Sequence, residues 1–428
     1  MPDKDRTSGF FRPELETMDP EARQAYLDRR TAEIVAHAYA HAPAFAAKMR
    51  SVGAQPGDIT KVADLTRLPI TEKGELTEMQ QKGLPFGGLN GEPLSSMSRI
   101  YVSPGPIYEP GEKVYDDDRW AQAFYAAGFR QGDIAQVTFN FNMVPFAFWL
   151  DASLNMVGCV SIPMGVGNTE VQIQALKDLK VQGYLGTPSF LATIADKAEA
   201  LGLDLKKDLN LQVAFVAAEM LPPSLRVSLQ ERLGMVIRQS YGTADVGCLS
   251  YECLHMEGMH FAQDCVVEVV DPQTGQPVGE NEPGEVVATI FNKAYPLIRF
   301  GTGDLSAFSN ATCACGRTSP KLTRIMGRVD QVTKVKGMFV HPSGVQQVAS
   351  KFPEVMAYQL VVNRRGHNDV MTLVCELGAD TPAETSELRA KMESAMKEVL
   401  RVTGEVQFQE PGSLPQGCKV IDDRRVWK

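Results

Sequence analysis

Four side chains at two places in the chain have the types of a metal site. Cys253 and His260 are separated by six residues, and Cys313-Ala-Cys315-Gly follows much later. Three thiolates and one imidazole form the donor set of a tetrahedral zinc centre, and four protein ligands leave no open position, so the site would be structural. Cys265 and His255 stand near enough in sequence to substitute for a member of the set. There are eight cysteines. The N-terminal stretch MPDKDRTSGFFRPELE is charged and has no apolar core of a signal peptide, so the expected compartment is the reducing cytoplasm. There, cysteines are thiols, metal ligands or nucleophiles rather than disulfide partners.

The elements that must position these groups come from a chain of 428 residues with 44% hydrophobic and 22% charged residues, the balance of an ordinary globular protein. Its length suits one large domain and a small one. A formal net charge of -9 argues against a nucleic-acid partner that works by neutralising phosphates, and against an anionic membrane surface. No apolar run is long enough to span a bilayer.

The first 70 residues read as helices and loops, with Asp19 placed to cap a long helix. From about 95 to 300 short Val/Ile-rich runs (DIAQVTF, VGCVSIPM, GYLGT, LQVAFVAA) alternate with helical stretches such as TEVQIQALKDLKV. That alternation indicates βαβ units and a mostly parallel sheet. The stretch from about 264 to 308 is β-rich, and the last 100 residues have a β–α–β–α–β look. The expected fold is α/β, a large N-terminal domain with a β-rich subdomain and a small α+β lid.

Six segments, in order, carry a resemblance. These are SRIYVSPGPIYEPGEKVYDDDRW, VAAEM (216–220), QSYGTADVG (239–247), PLIRFGTGDLS (296–306), CACGRTSP (313–320) and GRVDQVTKVKGMFVHPSGV (327–345). Together they resemble the phenylacetate–coenzyme A ligase branch of the adenylate-forming superfamily. The resemblance implies the two-domain adenylate-forming fold, divided at a hinge into 1–328 and 329–428. It also implies two-step chemistry: ATP and Mg²⁺ adenylate an acid, the lid rotates, and a pantetheine thiol takes the acyl group. Some members of the branch carry zinc at the positions of Cys253, His260, Cys313 and Cys315, and dimers are common.

By the same resemblance, Glu219 lies in the adenine-contacting turn. Tyr241, Gly242 and Asp245 form the Tyr-Gly motif, and Asp304 meets the ribose. Gly327, Arg328 and Asp330 form the hinge, and Lys336 and Gly337 approach the pantetheine. Three places depart from the pattern. The family's Ser-Ser-Gly-Thr-Thr-Gly-Lys-Pro phosphate loop lies over Ser103-Pro-Gly-Pro-Ile-Tyr-Glu-Pro110. Two prolines remove N–H donors, and Glu109 replaces a lysine where phosphates would sit, which is repulsive. The Tyr-Gly motif has Ala244 and Asp245 where the family has a hydroxyl residue and Glu. The catalytic lysine falls in LPQGCKVIDDRR, at either Cys418 or Lys419.

The thiol-handling half of this machinery is kept and the ATP-handling half is eroded. The expected activity is therefore an acyltransferase that moves an aryl group from a CoA thioester to an acyl carrier protein, with ATP and Mg²⁺ unused. Its design is similar to family variants that prime a carrier with an anthraniloyl group. Cys248, next to the Tyr-Gly motif, is the candidate acyl-accepting nucleophile, with His341 as its base; otherwise it is a small packing residue. Arg317, Lys321, Arg324, Lys334 and Lys336 are candidates for a basic patch that meets the carrier. The alternatives are an ATP-dependent aryl-CoA ligase and a non-catalytic acyl-CoA-binding relative.

Overall fold

The computed structural model describes residues 4–103, 106–329, 333–335, 338–340, 342–365, 368–378, 386–415 and 418–425. The chain forms two compact units, Met1–Thr302 with Ala307–Arg324, and Gly303–Ser306 with Ile325–Lys428.

The first unit opens with helices α1 (Pro20–His41) and α2 (Pro43–Ser51). The Asp19 carboxylate caps α1 by accepting from the Glu21 N–H at 2.9 Å, which satisfies a donor that has no partner within the helix. Ile34, Val35 and Ala38 of α1 recur at helical spacing and pack with Phe45 and Met49 of α2. Strand β1 (Thr71–Glu72) leads into α3 (Lys73–Lys82), and β2 (Met97–Ser103) and β3 (Ile107–Glu112) make an antiparallel hairpin.

Next come α4 (Arg119–Ala127), β4 (Ile134–Val137), α5 (Phe146–Val157), β5 (Val160–Pro163), α6 (Thr169–Asp178) and β6 (Gly183–Gly186). They are followed by α7 (Pro188–Ala200), β7 (Val213–Val216), α8 (Pro223–Leu233) and β8 (Val236–Thr243). Every pairing among β4 to β8 is parallel. Every residue of β6 and β7 is buried, as strands covered on both faces require. Leu191 and Ile194 of α7 and Leu229 of α8 pack against Tyr184 and Ala214 of these strands.

The remaining strands are β9 (Gly247–Glu252), β10 (Met259–Phe261), β11 (Cys265–Val270), β12 (Gly284–Ile290), β13 (Phe300–Ser309) and β14 (Lys321–Arg328). The β-rich region is continuous with the parallel part in one strand path, β11-β12-β13-β14-β10-β9-β8-β7-β6-β4-β5. Pairing changes from parallel to antiparallel between β8 and β9.

The second unit contains the hairpin β15 (Thr333–Val335) and β16 (Met338–Val340), then α9 (Pro342–Ala349), β17 (Val355–Arg365), β18 (Asn368–Leu377), α10 (Ser386–Leu400), β19 (Glu405–Gln409) and β20 (Ile421–Asp423). Its sheet runs β19-β18-β17-β20. Val345 and Val348 of α9 and Met392, Met396 and Leu400 of α10 close its core over Leu360, Val362 and Leu373. The α/β large unit and α+β small unit agree with the sequence reading.

Candidate active site and metal cluster

The turn where the sheet changes direction carries the Tyr-Gly motif. Tyr241 and Gly242 lie near the end of β8, and Gly242 is directly opposite Cys248, near the start of β9. The Tyr241 hydroxyl is buried and donates to Thr302 Oγ1 at 2.9 Å, which fixes the ring against β13. Gly242 has no room for a side chain, because a Cβ there would lie 2.2 Å from the Gly247 carbonyl oxygen. At the tip of the turn Ala244 is half-buried and Asp245 is buried. Lys73, the first residue of α3, brings its Nζ to 2.7 Å from Asp245 Oδ2.

The β2–β3 hairpin supplies the other wall. Pro104 and Gly105, in the loop that matches the family's phosphate loop, lie outside the described residues. The strand that follows alternates, burying Ile107, Glu109 and Gly111. The Ser103 hydroxyl donates to Glu109 Oε2, while Glu109 Oε1 and Asp245 Oδ1 are buried with no hydrogen-bond partner among the described residues. Burial, then the charge of Asp245, pushes the Glu109 carboxyl up to about 8. A cavity of about 200 Å³ opens here, with Glu109, Glu112 and Asp245 on its walls together with the rings of Tyr101, Tyr115 and Trp149. Burial and the nearby Asp116 push Glu112 up to about 7. The site therefore combines carboxyls, aromatic rings and the guanidinium groups of Arg99 and Arg119, and Lys73 is already engaged by Asp245.

Glu219 is exposed and accepts from the Ser189 N–H at 3.3 Å. In the second unit Arg328 Nη1 lies 3.1 Å from Asp304 Oδ1. The half-buried Cys418 donates its N–H to the Pro415 carbonyl, and Lys419 is exposed with its carbonyl accepting from Gln359 Nε2 at 2.9 Å. Asp330, Lys336, Gly337 and His341 lie outside the described residues.

Cys248 has the surroundings of a packing residue, contrary to the expectation that it is a nucleophile. It is fully buried, and its Sγ donates to the Ser250 carbonyl at 3.9 Å. Burial pushes its thiol well above the ordinary range, although the nearby Arg119 pulls the other way. A nucleophile needs the reverse: access and a lowered pKa.

The four metal-type residues do come together. One ligand atom from each of Cys253, His260, Cys313 and Cys315 lies within 4.8 Å of the others. Cys253 follows β9, His260 sits on β10 and the cysteine turn precedes β14, so three neighbouring strands converge on the cluster. The Sγ atoms of Cys253 and Cys313 are 3.6 Å apart, and Cys315 Sγ is 3.4 Å from His260 Nε2. Zn–S bonds of about 2.3 Å and Zn–N bonds of about 2.0 Å in a tetrahedron give edges of roughly this length, so the donor set fits a divalent metal. Hydrogen bonds from Cys253, then His260, pull the Cys315 thiol down, so a thiolate is already favoured at that position. Neither Cys265 nor His255 belongs to the cluster.

Two of the five residues expected to form a basic patch, Arg317 and Lys321, do not reach the surface, whereas Arg324 is exposed. Arg317 is buried with its Nε 2.7 Å from Glu16 Oε2, and Lys321 is buried in β14. Both are spent inside the first unit, where they cannot meet a partner's charge. Lys73, the ion-pair partner of Asp245, is a residue that the sequence reading missed. It lies outside the six matching segments, and no local pattern marks a lysine as the partner of an aspartate 172 positions away.

The chain is similar to known proteins over nearly its whole length. The family model described as AMP-binding enzyme matches residues 120–289, and that described as AMP-binding enzyme C-terminal domain matches 337–425. Phenylacetate-coenzyme A ligase of Thermus thermophilus is 29% identical, covering 95% of this chain and 97% of its own. The protein of the same name from Escherichia coli is also 29% identical, covering 96% and 97%. A crystal structure of 2-hydroxyisobutyryl-CoA ligase, in an open conformation with its acyl-AMP and CoA, superimposes with a TM-score of 0.87 at 24% identity, over 99% of this chain and 96% of that one.

Proposed function

This chain belongs to the adenylate-forming enzyme superfamily, and from that footing we propose that it is an acyltransferase that works without ATP. It moves an aryl acyl group, of the benzoate or anthranilate kind, from a CoA thioester to the pantetheine thiol of an acyl carrier protein. The aromatic substrate class is taken from the relatives named phenylacetate-coenzyme A ligase.

Glu109 is the observation that carries the reading. A carboxyl occupies the loop position of a phosphate-binding lysine, buried beside Asp245, whose own partner is Lys73. Unlike a lysine, Glu109 offers no positive charge to phosphate oxygens. A thioester brings no charge to that spot. A carboxyl that titrates at about 8 is also mostly protonated at neutral pH and can pass its proton to a departing thiolate. In the transfer the C–S bond to CoA breaks as the bond to the acceptor sulfur forms, and the acceptor's proton ends on CoA. Cys248 takes no part. The Cys₃His cluster holds zinc as a structural clamp on the strands behind the Tyr-Gly turn.

A second reading, an ATP-dependent aryl-CoA ligase, is favoured by similarity over almost the full chain and by the presence of Tyr241, Asp304 and Arg328. One assay separates the two. The protein is mixed with benzoyl-CoA and a holo carrier protein without ATP, and the carrier is weighed by intact mass spectrometry. Acylated carrier supports the transferase. Release of AMP from free acid, ATP and CoA, with no ATP-free transfer, replaces it with the ligase.

A further inference from the structure

A second cavity in the first unit, of about 240 Å³, is used by neither reading. It is bounded by Phe45, Ile70, Met79, Leu297 and Ile298, and only Lys48, Thr71 and Glu75 bring polar side chains to its wall. The space is on the order of eight liquid waters at about 30 Å³ each, enough for a single aromatic ring or a short acyl chain.

Lys48 comes from the last turn of α2 and is half-buried. Its Nζ donates to the Thr71 hydroxyl, which β1 holds in place by pairing with Phe300 of β13. An amine engaged as a donor on one side keeps its lone pair for the cavity side when it is uncharged. Burial brings that uncharged form within reach: desolvation pulls the amine down to about 7, against the pull of Glu75 and Glu72 and with help from Arg299. Glu75, on the same wall, is placed to accept a proton. An amine nucleophile, a carboxylate and an apolar chamber thus meet at one point, and an ammonium is poorly solvated there while an amide would not be.

We propose that Lys48 is a covalent modification site, whose amine is acylated by small hydrophobic thioesters so that the acyl group fills this cavity. The Nζ–C bond forms and the C–S bond breaks. One Nζ proton passes by way of Glu75 to the departing thiolate, which leaves as a free thiol. No oxidant, metal or nucleotide is needed. The reaction is independent of the transfer chemistry, since it uses neither the Glu109 site nor a carrier protein.

The test is incubation of the full-length protein with a small molar excess of benzoyl-CoA, without ATP or carrier, followed by intact mass and peptide mapping. The expected result is one benzoyl amide, on Lys48, forming at least tenfold faster than on exposed lysines such as Lys61 and Lys206. Its rate should rise steeply from pH 6 to pH 8. Glu75→Gln should slow it severalfold without moving it, and Lys48→Arg should remove it. Adducts spread over Lys61 and Lys206 in the same proportion as Lys48, or no adduct on Lys48, would overturn the proposal.

Discussion

The Lys73 ammonium lies 2.7 Å from Asp245 Oδ2, while the adjacent carboxyl of Glu109 receives its hydrogen bond from the Ser103 hydroxyl instead. Lys73 thus pairs with one of two neighbouring buried acids and not the other. That arrangement has consequences that can be measured.

Glu109 should make stability fall as pH rises. The unfolded chain releases this proton near 4.5 and the folded protein holds it to about 8, so across that window the folded state binds the extra proton and loses stability as it is withdrawn. Glu109→Gln cannot ionise. Its melting temperature relative to the unaltered protein should therefore be higher at pH 9 than at pH 5, by at least about 2 °C for a chain of this size. A difference that stays constant with pH would show that Glu109 ionises normally.

Cys248→Ala should keep its transfer activity. The side chain only fills space, so the expected cost is roughly 1 kcal/mol of stability from the small cavity it leaves. In the unaltered protein a thiol reagent should label Cys418 well before Cys248, which is fully buried. A well-folded Cys248→Ala protein without transfer would reinstate the acyl-cysteine.

At Gly242 a methyl group meets backbone rather than a movable side chain. Gly242→Ala should therefore cost more than about 2 kcal/mol, or shift Tyr241 off Thr302. Denaturant unfolding with tyrosine fluorescence reads both effects, and a variant as stable as the parent would contradict the close approach.

The cysteine cluster should carry about one zinc per chain by elemental analysis. Cys313→Ser should lower that content and the melting temperature together, since a structural metal contributes its binding energy to folding. Chelation that strips the metal without changing stability would make the cluster incidental.

Much of this protein is already written in its linear order. The alternation of buried Val-rich runs with amphipathic helices specifies a parallel sheet, because strands covered on both faces must be apolar throughout, as Val213–Val216 are. The capping role of Asp19 and the Cys253/His260/Cys313/Cys315 set were legible for a similar reason: each depends on residue type and local spacing, and the cysteine pairs needed only to be brought together.

Burial and distant partnership were not legible. Nothing local shows that Cys248 is fully buried, with its thiol raised by that burial. Arg317 and Lys321 read as surface charges until β14 and its flanking turn carry them inside. The pairing of Lys73 with Asp245, and the chamber around Lys48, exist only once α2 and α3 pack against strands more than 150 residues further along the chain. Solvation and electrostatic partnership depend on the whole set of surrounding atoms, and that set is assembled by the fold.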